Sequence, residues 1–141
     1  MIVEQEGITI NEIFDKCGEE YFRKTECEVI KKAAEMKNVV IATGGGVVLN
    51  EQNIENLRKT GVIFNLSPDF SVIRERLEEA RKTRPLLKRD SIENIKKRFD
   101  DRKPFYDNCD YKIKVIHGRT PRSYAMEILE IMESSQGAGK Q

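Results

Sequence analysis

Two charged side chains occupy positions where helical spacing calls for apolar ones. The stripe Phe22, Glu26, Val29, Ala33 and Met36 advances in steps of four, three, four and three, so Glu26 places a carboxylate on an apolar face, with Arg23 one turn earlier beside it. A buried carboxylate needs partners, because burying a charge unpaired is costly. A solvated i,i+3 ion pair at the edge of the stripe is the bland alternative, and it stabilises little. Spacing alone admits both. A later helix repeats the anomaly with the opposite sign: Ile92, Ile95, Phe99, Arg102 and Tyr106 keep helical spacing, and Arg102 holds the apolar slot. An arginine near a helix end often only snorkels, but two intrusions of opposite charge point to a shared polar pocket.

Two further stretches carry chemistry. Val39-Val40-Ile41-Ala42-Thr43 is a continuous apolar run that breaks into Gly44-Gly45-Gly46. Such a run fits a strand covered on both faces of a parallel sheet. Consecutive glycines let other groups approach the backbone, and ligands bind at the carboxyl ends of strands in open α/β sheets. Farther on, Arg74, Arg76, Arg81, Lys82, Arg84, Lys88 and Arg89 crowd one helix end, partly offset by Glu75, Glu78, Glu79 and Asp90. Within it, Arg84-Pro85-Leu86-Leu87 sets an apolar pair after a proline break, a pattern shared by mobile lids and by ordinary loops packed on a core.

The elements that must position these residues follow from capping and periodicity. Thr9 to Glu12 reads as a capping box, Ile10, Ile13, Phe14 and Cys17 as a first stripe, and Gly18 as a left-handed stop before a longer helix to about Met36. Asn50 caps a helix with Ile54 and Leu57 that Gly61 terminates. Residues 62–66 form a second apolar strand, and Ser67 and Pro68 serve as cap and first residue of a helix with Phe70, Ile73, Leu77 and Ala80 inside. Pro104 ends or kinks the helix that carries Arg102. Residues 111–115 alternate as an edge strand, and the turn at Gly118-Arg119-Thr120-Pro121 caps a last helix with Tyr124, Ile128, Ile131 and Ser135 in line. Three strands between helices predict an α/β fold with a parallel sheet.

Composition sets bounds. The 141 residues suit a single domain, spanning 1–133 with a flexible tail at 134–141. Lys plus Arg (25) nearly cancels Asp plus Glu (24), so no global charge advertises nucleic acid or membrane as partner. No run approaches the roughly 20 apolar residues of a spanning helix, and the first residues show no signal-peptide pattern. Cys17, Cys27, Cys109 and the lone His117 make neither a zinc pattern nor a disulfide framework. A reduced, cytoplasmic enzyme or binding module is the expected class.

Taken together, these residues resemble the shikimate kinases, members of the nucleoside-monophosphate-kinase-like P-loop group. The pieces that match are residues 7–14 and 18–26, Ala42-Thr43-Gly44-Gly45-Gly46, Arg84-Pro85-Leu86-Leu87, Arg102 with Pro104 and Tyr106, and Arg119-Thr120-Pro121. They fall in family order and at family spacing over about residues 2 to 132; a lone triple glycine is weak, but the ordered set is strong. The resemblance implies a monomer that transfers the γ-phosphate of ATP to the 3-hydroxyl of shikimate, with Mg2+, in aromatic amino-acid biosynthesis. It implies roles as well. Arg23 and Arg102 would clamp the shikimate carboxylate, which suits guanidinium forks. Gly44, Gly45 and Gly46 would offer backbone N–H groups to shikimate, and Glu26 would orient Arg23 and reach a ring hydroxyl. Arg84, in a lid at about 76–90 with Arg76 as a second cation, would move onto the transferring phosphates. Arg119 and Pro121 would border the adenine.

The family also requires parts that the 141 residues do not contain. These are a P-loop, Gly-x-x-x-x-Gly-Lys-Ser/Thr, on a first strand, and a pair of aspartates on a second for magnesium and the substrate hydroxyl. The tail Gly137-Ala138-Gly139-Lys140 is no substitute: Ser134 holds the first glycine position, Gln141 replaces Ser/Thr, and a helix precedes it where a strand is needed. By family spacing the second aspartate falls just ahead of Met1. The expectation is a fragment, or a reading frame begun at a downstream Met, that lacks two strands, the base and the magnesium ligands, and is inactive alone. In the family's strand order, 2-3-1-4-5, the P-loop strand separates residues 39–43 from 62–66; without it those two strands either pair directly or leave bare apolar edges. A related kinase such as gluconate kinase, or a non-catalytic shikimate-binding module, are the alternatives.

Overall fold

A capping box opens the longest helix. The Thr9 hydroxyl oxygen accepts the Glu12 amide at 3.3 Å and the Glu12 carboxylate accepts the Thr9 amide at 2.9 Å, so two N-terminal donors are satisfied reciprocally. The computed structural model describes residues 1–83 and 91–137, and the chain divides into two compact units, Met1–Ile63 and Phe64–Gln141.

In the first unit, helix α1 (Ile2–Glu6) precedes helix α2 (Ile10–Ala34). Periodicity did not predict α1. It is tied to α2 by Tyr21, whose hydroxyl donates to Glu6 at 2.8 Å, and by Lys32, which donates to Gln5 at 2.9 Å. Gly18, expected to end a helix in the left-handed conformation, instead kinks α2 at φ 81 and ψ 173, and the helix resumes. Past the kink, Phe22, Glu26, Val29 and Ala33 are buried as the stripe predicts, whereas Met36 lies beyond the helix end and is exposed. Helix α3 (Glu51–Arg58) packs on α2. Asn50 caps it by accepting the Gln52 amide at 3.0 Å, and the Gly61 amide closes it on the Leu57 carbonyl at 3.0 Å.

The strand expected at residues 39–43 is absent. This segment belongs to neither strand of the described sheet, and Val40 is 99% exposed. An all-apolar strand is held by ladders that satisfy its backbone and by layers that cover both its faces. Among the described residues the first unit offers no strand to pair with it. In the described sheet β1 pairs with β2 alone, so the direct pairing that was one of the two outcomes expected without a P-loop strand is not formed there; Val39 and Val40 are exposed, while Ile41 lines a cavity against α2.

The second unit contains the sheet. Strands β1 (Phe64–Pro68) and β2 (Tyr111–Val115) pair in parallel, in register from Phe64 opposite Tyr111 to Pro68 opposite Val115. The described strands thus number two rather than three, within the α/β class and parallel arrangement expected. β1 starts two residues later than 62–66 and absorbs Ser67 and Pro68, which do not act as helix cap and first residue. The proline lacks only an N–H, which a strand with one unpaired edge tolerates. Helix α4 (Phe70–Thr83) instead follows Asp69, whose carbonyl accepts the Val72 amide at 3.0 Å. In β2 the alternation is real: Ile113 and Val115 are buried with Val72 and Tyr124, packed by Phe64, Ile128 and Ile131.

Helix α5 (Ile92–Tyr106) is capped by Ser91, which accepts the Asn94 amide at 3.1 Å. It passes through Pro104 rather than stopping there, because a proline in the last turn forfeits one backbone bond and little remains to be broken. The Tyr106 carbonyl at its end accepts from Asn65 of β1 at 2.9 Å. Helix α6 (Pro121–Gly137) starts at Pro121, with Thr120 accepting the Ser123 amide at 3.2 Å. It extends through residues 134–137, which were expected to belong to the tail; residues 138–141 lie outside the described residues. Among the described residues no helix is long and apolar enough to cross a membrane.

Candidate active site

Glu26 is 5% exposed, which decides between the two readings of its place on the stripe. It is a buried carboxylate, and Arg23 is its partner: Nη1 donates to Glu26 Oε2 at 2.7 Å. The Arg23 guanidinium is held on a second side by Glu19, whose Oε1 accepts from Nε at 3.3 Å and from Nη2 at 3.2 Å. It also lies 5.1 Å from the centre of the Phe22 ring. Burial works against the Arg23 charge, but the hydrogen bond and charge of Glu26, followed by those of Glu19, outweigh it and raise its pKa above the ordinary value. This group is a fixed cation.

The glycines meet this pair. A methyl group at Gly46 would strike the Arg23 guanidinium, 2.6 Å from Cζ and 2.7 Å from Nη2. One at Gly44 would lie 3.6 Å from Glu26 Oε1, the oxygen that Arg23 leaves open. Glycine is therefore required at 46 by close approach. The turn after the glycines is pinned from below: the Val47 amide bonds the Gly44 carbonyl at 3.2 Å, and the Val47 carbonyl accepts from Asn53 Nδ2 at 3.1 Å. A cavity of about 290 Å3 opens here, lined by Glu26, Ile30 and Ala33 of α2 and by Ile41, Thr43 and Gly44.

The first unit thus brings Arg23, Glu26, Gly44 and Gly46 together, with Gly45 in the same turn. Arg102, Arg119 and Pro121 belong to the second unit. Arg102 is half-buried on the inner stripe of α5, beside Phe99 in sequence spacing, as the pattern predicts. Arg119 is held against α6. It donates to the Glu127 carboxylate at 2.7 Å and to the Ser123 carbonyl at 3.2 Å, and its guanidinium lies 4.4 Å from the centre of the Tyr124 ring. Pro121 is the exposed first residue of α6. Of the expected lid, residues 76–83 are in α4, where Arg76 is exposed, and Arg84 lies outside the described residues. Among the described residues no three His, Cys, Asp or Glu side chains converge on a metal position. The donor set for magnesium is not met by them, and no step through the metal is assigned to this chain.

Two participants escaped the sequence reading. Glu19, four residues before Arg23, carried an i,i+4 signal that the i,i+3 partner overshadowed. Asn53 carried none, since a polar residue beside Ile54 reads as the outer face of α3, yet it is 1% exposed.

The chain's likeness to known proteins covers these elements. The family profile described as shikimate kinase matches residues 1–133. A shikimate kinase of Caldicellulosiruptor bescii is 43% identical over 131 residues, which cover 92% of this chain and 75% of that protein. The Aquifex aeolicus shikimate kinase is 38% identical over 138 residues, covering 98% and 80%. Among solved structures, the shikimate kinase of Acinetobacter baumannii in complex with shikimate superposes with a TM-score of 0.81 at 31% identity, over 95% of this chain and 75% of that one. The Aquifex aeolicus enzyme gives a TM-score of 0.79 at 33% identity, over 98% and 78%. These matches extend across the helix that carries Arg23 and Glu26, the glycine turn and the parallel strand pair, and on that ground the chain belongs to the shikimate kinase family.

Proposed function

We propose that the first unit supplies the shikimate-binding half of a kinase that transfers the γ-phosphate of ATP to the 3-hydroxyl of shikimate. One observation carries this: a buried carboxylate bonded to a fixed guanidinium meets a glycine turn that carries no side chains, beside a small cavity that Glu26 and Gly44 line. Shikimate is a carboxylated polyol ring, and each group has a counterpart on it. The Arg23 guanidinium takes the ring carboxylate as a charge-assisted fork. Glu26, oriented by Arg23 through Oε2, accepts a ring hydroxyl at Oε1. Gly44, Gly45 and Gly46 present main-chain N–H groups where a side chain would block the ring. Arg102 is the second carboxylate ligand, Arg119 and Pro121 border the adenine of ATP, and Arg84 is the cation that neutralises charge on the transferring phosphoryl group.

The working unit is a monomer, since one chain supplies the whole Arg23, Glu26 and glycine group. The 141 residues hold no P-loop and no Asp-x-Asp, so phosphoryl transfer by these residues alone is not expected, and a shikimate-binding module is the form in which they act by themselves. Titration calorimetry tests both statements. Shikimate should bind, ATP should not, and Arg23→Ala should abolish the shikimate signal. Binding that survives Arg23→Ala refutes the carboxylate role, and ATP-dependent turnover of shikimate in a coupled assay refutes the claim of inactivity.

A further inference from the structure

The three groups around Arg23 do not suit an anionic ligand equally. Glu26 is buried and meets only Nη1. Gly46 lies against the guanidinium and presents no side chain. Glu19 takes the Nε and Nη2 edge with a single oxygen, Oε1, and its side chain is 66% exposed. That edge is one of the two parallel donor pairs through which a guanidinium holds a carboxylate bidentately. Two carboxylates on one guanidinium also leave the cluster with a net charge of the same sign as shikimate's carboxylate, which is the wrong sign for recruiting it.

We propose that Glu19 is an internal competitor for the carboxylate fork of Arg23, and that a carboxylate ligand gains the Nε and Nη2 edge by displacing it. Glu26 stays, because its burial ties it to the guanidinium. Glu19 leaves at low cost, because an exposed i,i+4 pair is weak and solvent rehydrates the freed carboxylate. The exchange keeps the charge of the cluster constant up to the moment of binding and sets a threshold. Weakly held anions do not dislodge Glu19, whereas a ligand that also engages Glu26 and the glycine turn does. Glu19 is thus a specificity-determining residue rather than a helix-surface ornament. This deepens the assignment of Arg23 to the shikimate carboxylate and depends on it.

Calorimetry on the 141-residue chain separates the two claims. Glu19→Gln keeps the shape and an acceptor oxygen but removes the charge, and should tighten shikimate by about two- to fivefold, the range of an exposed ion pair. The gain should shrink as ionic strength rises, and should vanish with the uncharged methyl ester of shikimate as ligand. A structural role for Glu19 predicts weaker binding of both ligands. If Arg23→Ala abolishes binding while Glu19→Gln weakens it or leaves it unchanged, the competitor is refuted and the carboxylate assignment stands. If shikimate binds indifferently to Arg23→Ala, or does not bind at all, the assignment itself fails and the competitor with it.

Discussion

At the scale of single residues, the site turns on Gly46. Its backbone, at φ −92 and ψ −11, is open to any residue, so the requirement for glycine comes from the guanidinium of Arg23 and not from strain. The clash is with the guanidinium that bonds buried Glu26, so moving it loosens that pair. Gly46→Ala should therefore destabilise the first unit by about 1–3 kcal/mol and cost on the order of 1.5–3 kcal/mol in shikimate binding, the range for hydrogen bonds to charged groups. A double-mutant cycle measured by calorimetry sharpens this. If Gly46 acts by leaving Arg23 in place, Gly46→Ala costs nothing further on an Arg23→Ala background. Additive losses would mean that the glycine meets the ligand independently. The same paired logic bears on Glu26, since it was its misfit in an apolar stripe, and not any motif, that first marked the position.

At the scale of elements, the helices hold better against their sequence than the strands do. Gly18 in α2 sits at φ 81 and ψ 173, a region essentially confined to glycine. Gly18→Ala should destabilise the first unit by about 1–3 kcal/mol in denaturant unfolding, and an unchanged midpoint would show that the kink relaxes. In the second unit, the Tyr124 hydroxyl accepts the Ile116 amide at 2.9 Å and donates to the Ile116 carbonyl at 3.0 Å, locking the end of β2 to α6. Tyr124→Phe should cost about 1–2 kcal/mol by the same measurement. Capping boxes, stripes and the alternation of Ile113 and Val115 were legible because they depend on neighbours within a few residues. Residues 39–43 were not, because whether an apolar run forms a strand depends on what pairs with it, and that information lies elsewhere in the chain or outside these residues. The start of β1 moved for a related reason: pairing with β2 set its register and overrode the local preference of Ser67 and Pro68 for a helix start. The site shows the same division, with Arg23 and Glu26 visible as an anomaly of spacing while Asn53 was fixed by a turn six residues away.

At the scale of the whole molecule, exposed apolar backbone without a ladder partner governs how the chain behaves in solution. Val40 is 99% exposed and Val39 is 43% exposed, and Leu66 of β1 is 49% exposed. In the described sheet β1 and β2 pair only with each other, so each keeps one edge unladdered there. An extended apolar segment with free N–H and C=O groups is a template for pairing with another chain, and natural edges are blunted by charge, above all by lysine. The segment Val39-Val40-Ile41-Ala42 has none of these protections. Light scattering should therefore rise with protein concentration, and Val40→Lys should suppress that rise. Because its side chain makes almost no contacts to lose, the substitution should move stability by no more than about 0.5 kcal/mol and leave shikimate binding at Arg23 unchanged. Scattering that persists in Val40→Lys would place the self-association elsewhere, and a companion change at Leu66 would then locate it on the β1 edge. Loss of shikimate binding in Val40→Lys would have the opposite meaning: residues 39–43 would be holding the glycine turn in place despite their exposure, and the bare segment would be part of the site's scaffold.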